Sequence, residues 1–196
     1  REPNAVVIET IVVEKKTGSF TLGGAYSKDD GLMGIIEVGD TNFRGTGDKV
    51  NIHWEFGGNS DSKNYEFSYT RPWLDKKETS ISFSYYDMTN EYSDYDRDGS
   101  LESNYDKQRK GFNITLGRPE SEYSTNFVTL KNREDNFVCY NEGPINYAND
   151  QQYLNENFGL TRSITLTHVT DTRDNVFSAT EGARVSASAE FAGGIL

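Results

Sequence analysis

An alternation of apolar and polar residues constrains this chain more than anything else in it. In "KVNIHWEFGG" (49–58), Val50, Ile52, Trp54 and Phe56 fall in one phase and Asn51, His53 and Glu55 in the other. Successive side chains of a strand point to opposite faces, so this spacing predicts a two-faced β-strand. The pattern returns in "NYEFSYT", with Tyr65, Phe67 and Tyr69 against Glu66, Ser68 and Thr70. It returns again with Ile81, Phe83 and Tyr85 against serines, and with Phe112, Ile114 and Leu116 against Gly111, Asn113 and Thr115. Near the end, Val185, Ala187, Ala189 and Phe191 alternate with Arg184, Ser186, Ser188 and Glu190. Four further strands are less regular: 19–27, thinned by Gly23 and Gly24; 31–39, apolar in both phases; 124–132, with Val128 and Leu130 on the apolar side; and 162–170, carrying Ile164 and Leu166. No segment has helical periodicity. The predicted fold class is all-β, in nine strands.

The polar phase separates two architectures that both alternate. A soluble sandwich buries its apolar face against a second sheet and covers its outer face with Lys and Glu. A transmembrane barrel turns the apolar phase to lipid and the polar phase to a hydrated lumen. Here the polar phase is mostly Ser, Thr, Asn and Gly, with the charges gathered in the connections. That favours an antiparallel barrel meander, while the pattern alone still admits a sandwich. On the barrel reading Val50, Ile52, Trp54, Phe56, Tyr65, Phe67, Tyr69, Ile81, Phe83, Tyr85, Phe112, Ile114 and Leu116 face lipid. Asn51, His53, Glu55, Glu66, Arg184 and Glu190 then face the lumen, in hydrogen-bond and charge networks. Trp54, Tyr65, Tyr69 and Trp73 suit interfacial girdles.

The connections point the same way. The turns around 43–47, 72–78, 118–122 and 170–182 fall at every second junction; 27–31, 57–63, 90–107 and 134–157 lie between them. Mostly short turns at one end and longer loops at the other is an outer-membrane pattern, which would make the second set extracellular. A formal net charge of −11 argues against nucleic acid or anionic headgroups as the main partner. The single Cys139 excludes an internal disulfide framework and a cysteine zinc cluster. His53 and His168 are isolated, and no Ser-His-Asp order, P-loop or GxSxG appears. The chain opens at Arg1 without Met, so it reads as a segment of a longer protein.

"TGSFTLGGAYSKDDG" (17–31) and "NFRGTG" (42–47), the latter before an alternating strand, resemble the start of the barrel in the BamA-type outer-membrane assembly factors, the bacterial surface-antigen family. "YTRPWLDKKETSISFSYYD", "YDKQRKGFNITLGRPESEYS" and "DTRDNVFSATEGARVSASAEFAG" resemble its later hairpins, with Ala179 where the family usually has Pro. The resemblance implies about the first nine strands of a sixteen-stranded barrel over 17–196. The strand "AVVIETIVVE" and its boundary (1–16) would then end the last periplasmic POTRA module. It implies no enzyme activity and no cofactor. The work would be folding and inserting other barrels through a seam between first and last strands. Unfolded outer-membrane barrel clients, accessory lipoproteins or periplasmic chaperones, and outer-membrane lipid would be the partners. The client would pair with the edge strand Gly18, Ser19, Phe20, Thr21, Leu22, Gly23, Gly24, Ala25 and Tyr26, whose glycines weaken side-chain packing. They equally suit curvature or close packing. A related secretion pore and a soluble calcium-dependent sandwich are the competing readings.

"SDYDRDGSLESNYD" (93–106) opens like an EF-hand loop, D-x-D-x-D-G. Position twelve of such a loop needs a bidentate acid and falls here on Tyr105, and strands rather than helices flank it. That leaves a choice between a weak extracellular calcium site at Asp94, Asp96 and Asp98 and a plain solvated acidic loop.

Overall fold

The computed structural model describes residues 9, 11–28, 31–58 and 63–193. Its strands are β1 (Gly18–Ser27), β2 (Gly31–Phe43), β3 (Asp48–Gly57), β4 (Lys63–Arg71) and β5 (Ser80–Tyr95). They continue as β6 (Leu101–Pro119), β7 (Ser124–Glu142), β8 (Gly159–Asp171) and β9 (Arg184–Ala192). All nine pair antiparallel in sequence order, forming a single meander sheet.

Register carries the alternation from strand to strand. Along one row Val50 pairs with Tyr69, Tyr69 with Phe83, Phe83 with Ile114, Ile114 with Leu130, Leu130 with Ile164, and Ile164 with Phe191. The neighbouring row runs Asn51, Ser68, Ser84, Asn113, Lys131 and Ser163. A slip of one residue would exchange these rows, so an unbroken apolar face fixes the register. On that face Phe67, Phe83 and Phe112 follow one another at 6.3 and 6.4 Å between ring centroids. Trp54 stacks on Tyr65 at 5.9 Å.

Strands β1–β4, β8 and β9 have 9 to 13 residues, whereas β5 has 16 and β6 and β7 have 19 each. The expected long loops at 90–107 and 134–157 are therefore corrected. Pairing of β5 with β6 continues through Glu91↔Asp106 to Asp94↔Ser103, and the connection is only residues 96–100. Strand β7 runs on to Glu142. Above Asp87, Lys110 and Glu134 polar residues enter both phases, with Tyr92, Tyr105, Phe137 and Val138 scattered among them, so the period-2 signal disappears while the backbone ladder goes on. The expected contrast of short and long connections also fails: residues 172–183 between β8 and β9 outlast the 96–100 turn.

One helix was not anticipated. A 3-10 turn at Tyr147–Asn149 leads into α1 (Gln151–Asn157), with Asn146 and Asp150 as the N-caps. Asp150 accepts from the Tyr153 N–H at 2.9 Å. Of the strand expected at 5–14, residues 5–8 and 10 lie outside the described residues. Glu9 and 11–14 belong to no strand, and Ile11, Val12 and Val13 are exposed. The expected loops at 27–31 and 57–63 also fall partly outside them, at 29–30 and 59–62.

Candidate functional site

Strand β1 is the edge of the sheet and pairs only with β2 among the described residues. The Thr41 N–H donates to the Thr17 carbonyl, and the Gly58 N–H to the Leu32 carbonyl. Antiparallel ladders bond at every second residue. The first bond directs Ser19, Thr21, Gly23 and Ala25 toward β2; the second, directing Leu32 toward β3, agrees in phase. Gly18, Phe20, Leu22, Gly24 and Tyr26 therefore present their N–H and C=O groups to the free edge. Phe20 and Leu22 are 68% and 70% exposed. A Cβ at Gly18, Gly23 or Gly24 would meet its nearest neighbour at 3.9, 3.8 and 3.6 Å, ordinary contact distances. Close packing on β2 thus does not require these glycines.

The sheet sorts the expected lipid-facing and lumen-facing residues onto opposite faces. Val50, Ile52, Trp54, Phe56, Tyr65, Phe67, Tyr69, Ile81, Phe83, Tyr85, Phe112, Ile114 and Leu116 share the apolar face, joined by Phe20, Leu22, Ile36, Val38, Val128, Leu130 and Leu166. Among the described residues no second layer covers it: Ile52 stays 46% and Leu166 48% exposed. Asn51, His53, Glu55, Glu66, Arg184 and Glu190 share the polar face. There Asn64 donates to Glu55 at 3.4 Å, and Glu190 accepts from Ser163 at 2.6 Å and from Lys131 at 3.1 Å. Arg184 lies 3.8 Å from Asp171. His53 sits between Glu37 and Glu66 in register. His168 lies on the other face, bonded to Asn126 at 2.7 Å and to Thr170 at 3.1 Å.

Sequence reasoning missed the charged centre of the polar face. Asp135, whose side chain is 7% exposed, lies 2.8 Å from Arg109, 3.1 Å from Arg133 and 3.9 Å from Lys107. Arg109, Lys131 and Arg133 line a hollow of about 400 Å³ that spans β3 to β7. On its floor Tyr86 lies over Gly111: a Cβ there would sit 3.0 Å from the phenol oxygen and collide with the Asn132 carbonyl. The signal was present, since Lys131, Arg133 and Asp135 extend the polar phase of β7 without a break. Lys131 lies inside the strand expected at 124–132, whereas Asp135 falls in the loop expected at 134–157.

At the far end of the long hairpins the polar face closes into a small core. Tyr105, 6% exposed, stacks between Tyr92 and Phe137 at 6.2 and 5.4 Å. Tyr147 and Phe158 meet it edge-on at 5.9 and 6.1 Å, which holds α1 against this face. Lys107 lies 5.1 Å over the Phe158 ring. Burial, then a hydrogen bond shared with Tyr105, pushes the Tyr153 phenol well above its usual pKa. Beneath, Asn104, Asp106 and Ser103 are buried, and Asn104 donates to Glu91 and to Ser93.

The three aspartates proposed for calcium do not converge, and no group of three metal-ligating side chains occurs among the described residues. Asp98 accepts from the Ser100 N–H at 2.9 Å and from its hydroxyl at 2.6 Å. Asp96 accepts from the Arg97 N–H at 2.6 Å, and Asp94 lies 3.5 Å from the Tyr153 hydroxyl. The Asp96 and Asp98 carboxylates bond within the 96–100 turn, whereas that of Asp94 faces Tyr153.

Comparison with known proteins agrees with this geometry. The fold matches the crystal structure of BamA from Haemophilus ducreyi lacking POTRA domains 1–3, with a TM-score of 0.59 and 21% sequence identity. The match covers 91% of this chain and 34% of that one, so the chain spans about a third of the length of that structure. Residues 42–196 match the Omp85 superfamily domain. The chain belongs to the Omp85 superfamily, whose members are outer-membrane β-barrel proteins.

Proposed function

We propose that this chain is the seam-forming part of an outer-membrane assembly factor, which folds and inserts β-barrel clients by pairing their strands with β1. The glycine-thinned outward side of β1, where Gly18 and Gly24 carry no side chain, carries this reading. Unpaired N–H and C=O groups are costly in hydrocarbon, so an arriving strand gains strongly by bonding to them. Five residues offer such groups outward. Two of them, Gly18 and Gly24, lack side chains although this chain leaves room for one, which makes the edge thinly packed and easier to part.

The uncovered apolar face supports the membrane. A single sheet must cover its apolar face with another layer, and lipid serves for a barrel. On this reading the thirteen residues expected to face lipid do so, the polar face lines the lumen, and the 96–100 and 143–158 ends are extracellular. Unfolded barrel proteins are the clients, with accessory lipoproteins or periplasmic chaperones delivering them. The chemistry is hydrogen-bond exchange and needs no catalytic residue or cofactor.

Proline substitution in the full-length protein tests the edge. Pro at Phe20, Leu22 or Gly24 removes only an outward donor, which edge strands tolerate. Client assembly should stall while the protein's own folding survives. Pro at Thr21 or Gly23 should instead damage the pairing with β2 and the barrel itself. Undiminished client assembly with Pro at all three outward positions would overturn the templating role.

A further inference from the structure

At the turn end of the apolar face one buried carboxylate is only half satisfied. Asp48 opens β3 opposite Phe43 and is 7% exposed. Its Oδ2 accepts from the Tyr69 hydroxyl at 2.8 Å. Its Oδ1 is shielded from solvent and receives no hydrogen bond. Among the described residues the one cation within 4 Å is Arg71, whose Nε stands 3.8 Å from that oxygen, beyond hydrogen-bond reach. A buried carboxylate oxygen without a donor is costly. Asp48, Tyr69 and Arg71 keep the phase of Val50, so all three belong to the face read as meeting lipid.

Beside this carboxylate the same face is hollowed. Phe20, Val38, Phe43, Val50 and Ile52 line a trough of about 460 Å³ across β1–β3, beginning where Gly18 has no side chain. Phe43 is the register partner of Asp48, and Val50 is its next neighbour in phase, so trough and carboxylate are contiguous. The other acid on the trough, Asp40, accepts from the Asn42 N–H at 2.9 Å. The rim is aromatic: Arg44 lies 5.3 Å over the Phe43 ring, and Trp73 lies so close over Gly47 that a Cβ there would come within 3.0 Å of its ring. A trough of similar size across β7–β9 has neither carboxylate nor guanidinium in its lining.

We propose that this end of β1–β4 binds one phospholipid with a primary-amine headgroup, a phosphatidylethanolamine. The inference rests on the reading of the apolar face as lipid-facing. The ammonium donates to Asp48 Oδ1, and the half-exposed Arg71 turns outward to take the phosphate, which opens that oxygen to the amine. One acyl chain lies in the trough. Guanidinium suits phosphate in a bidentate grip, and a primary ammonium brings three donors where a quaternary one brings none. An anionic head without an amine would leave Oδ1 unpaired and set a second negative charge beside it. A bare cation would leave the trough empty.

Vesicles of phosphatidylethanolamine and phosphatidylcholine in equal amounts, with matched acyl chains, test it. The full-length protein is reconstituted, withdrawn in mild detergent, and its retained lipid identified by native mass spectrometry. Phosphatidylethanolamine should be enriched about tenfold, the size of one charge-assisted hydrogen bond. Asp48→Asn, which keeps an acceptor for Tyr69, should abolish the enrichment. Val38→Trp, which fills the trough, should lose the lipid with Asp48 and Arg71 untouched. Equal retention of the two lipids by the unaltered protein overturns the site, and that comparison needs no variant to fold. So does undiminished enrichment in folded Asp48→Asn. Failure of the membrane reading shows separately, in a background without other cysteines. There Ile114→Cys, unlike Thr115→Cys, should be spared by a hydrophilic maleimide that lipid excludes; equal labelling removes that reading and the lipid site with it.

Discussion

The lower sheet and the tip of its long hairpins follow opposite rules. In the lower sheet, large apolar side chains such as Ile52, Phe83 and Leu130 point outward and stay 36% to 46% exposed, while the other face is polar. At the tip the only buried hydrophobic residue among the described ones, Tyr105, sits on that same inner face, roofed by α1. The same strands serve both regions, and β6 passes from Phe112 on the outer face to Tyr105 on the inner one. On the proposed membrane reading, the change of rule marks a change of solvent. Where lipid covers the outside, the sheet needs no core of its own; where water surrounds the hairpins, aromatic rings must cover one another. About 9 to 11 residues cross a membrane, and the 16 of β5 and 19 each of β6 and β7 exceed that by roughly 5 to 10 residues.

Tyr105→Ala should break this comparison most sharply. Removing a buried aromatic ring costs about 3 kcal/mol or more where the site cannot collapse. The loss should stay in the tip: residues 143–158 become open to protease while the membrane sheet keeps its heat-modifiable migration in gels. Loss of the whole barrel would mean that the tip and the sheet form one cooperative unit. Ile114→Lys makes the reciprocal change. A lysine near the bilayer midplane costs about 2 to 4 kcal/mol in such barrels. Insertion into vesicles should suffer, and the same substitution at Thr115, one residue away on the polar face and clear of the cation-lined hollow, should be tolerated.

These regions were also unequally legible in the sequence. All nine strands could be read, and so could the faces of those that alternate cleanly, because Val50, Tyr69, Phe83, Ile114 and Leu130 keep one phase through one register; β2, apolar in both phases, showed no face. On the proposed reading, lipid on one side and water on the other impose that phase. Beyond Asp87 and Lys110 the same reading puts water on both sides, so nothing obliges Glu91, Ser93 or Asn104 to alternate, and a continuing ladder looked like loop. Helix α1 was invisible for a related reason: its short run, "QQYLNEN", contributes only Tyr153 to the cluster and has no stripe to display. The cationic cluster needed three dimensions, because Lys107 and Arg109 reach Asp135 from the neighbouring strand β6.

The 96–100 turn offers the smallest test and settles what its acids do. Asp98 takes hydrogen bonds from the Ser100 hydroxyl and N–H, and these hold its carboxyl below the usual carboxylate range. A depressed pKa means that its contribution is complete above the unfolded value, near 3.9, and fades as pH falls through the folded one. Exchange protection of the Ser100 N–H should accordingly be flat from neutral pH to about 4 and decline below it. Asp98→Asn, which keeps an acceptor, should flatten that decline. Calcium would have to compete for oxygens already bonded within the turn, with Tyr105 buried where an EF-hand places its bidentate acid. Millimolar calcium should therefore give no calorimetric heat in the folded barrel and leave the Ser100 protection unchanged. A shift in either would return Asp94, Asp96 and Asp98 to the role of ligands and make the tip a cation-dependent structure, unlike the sheet below it.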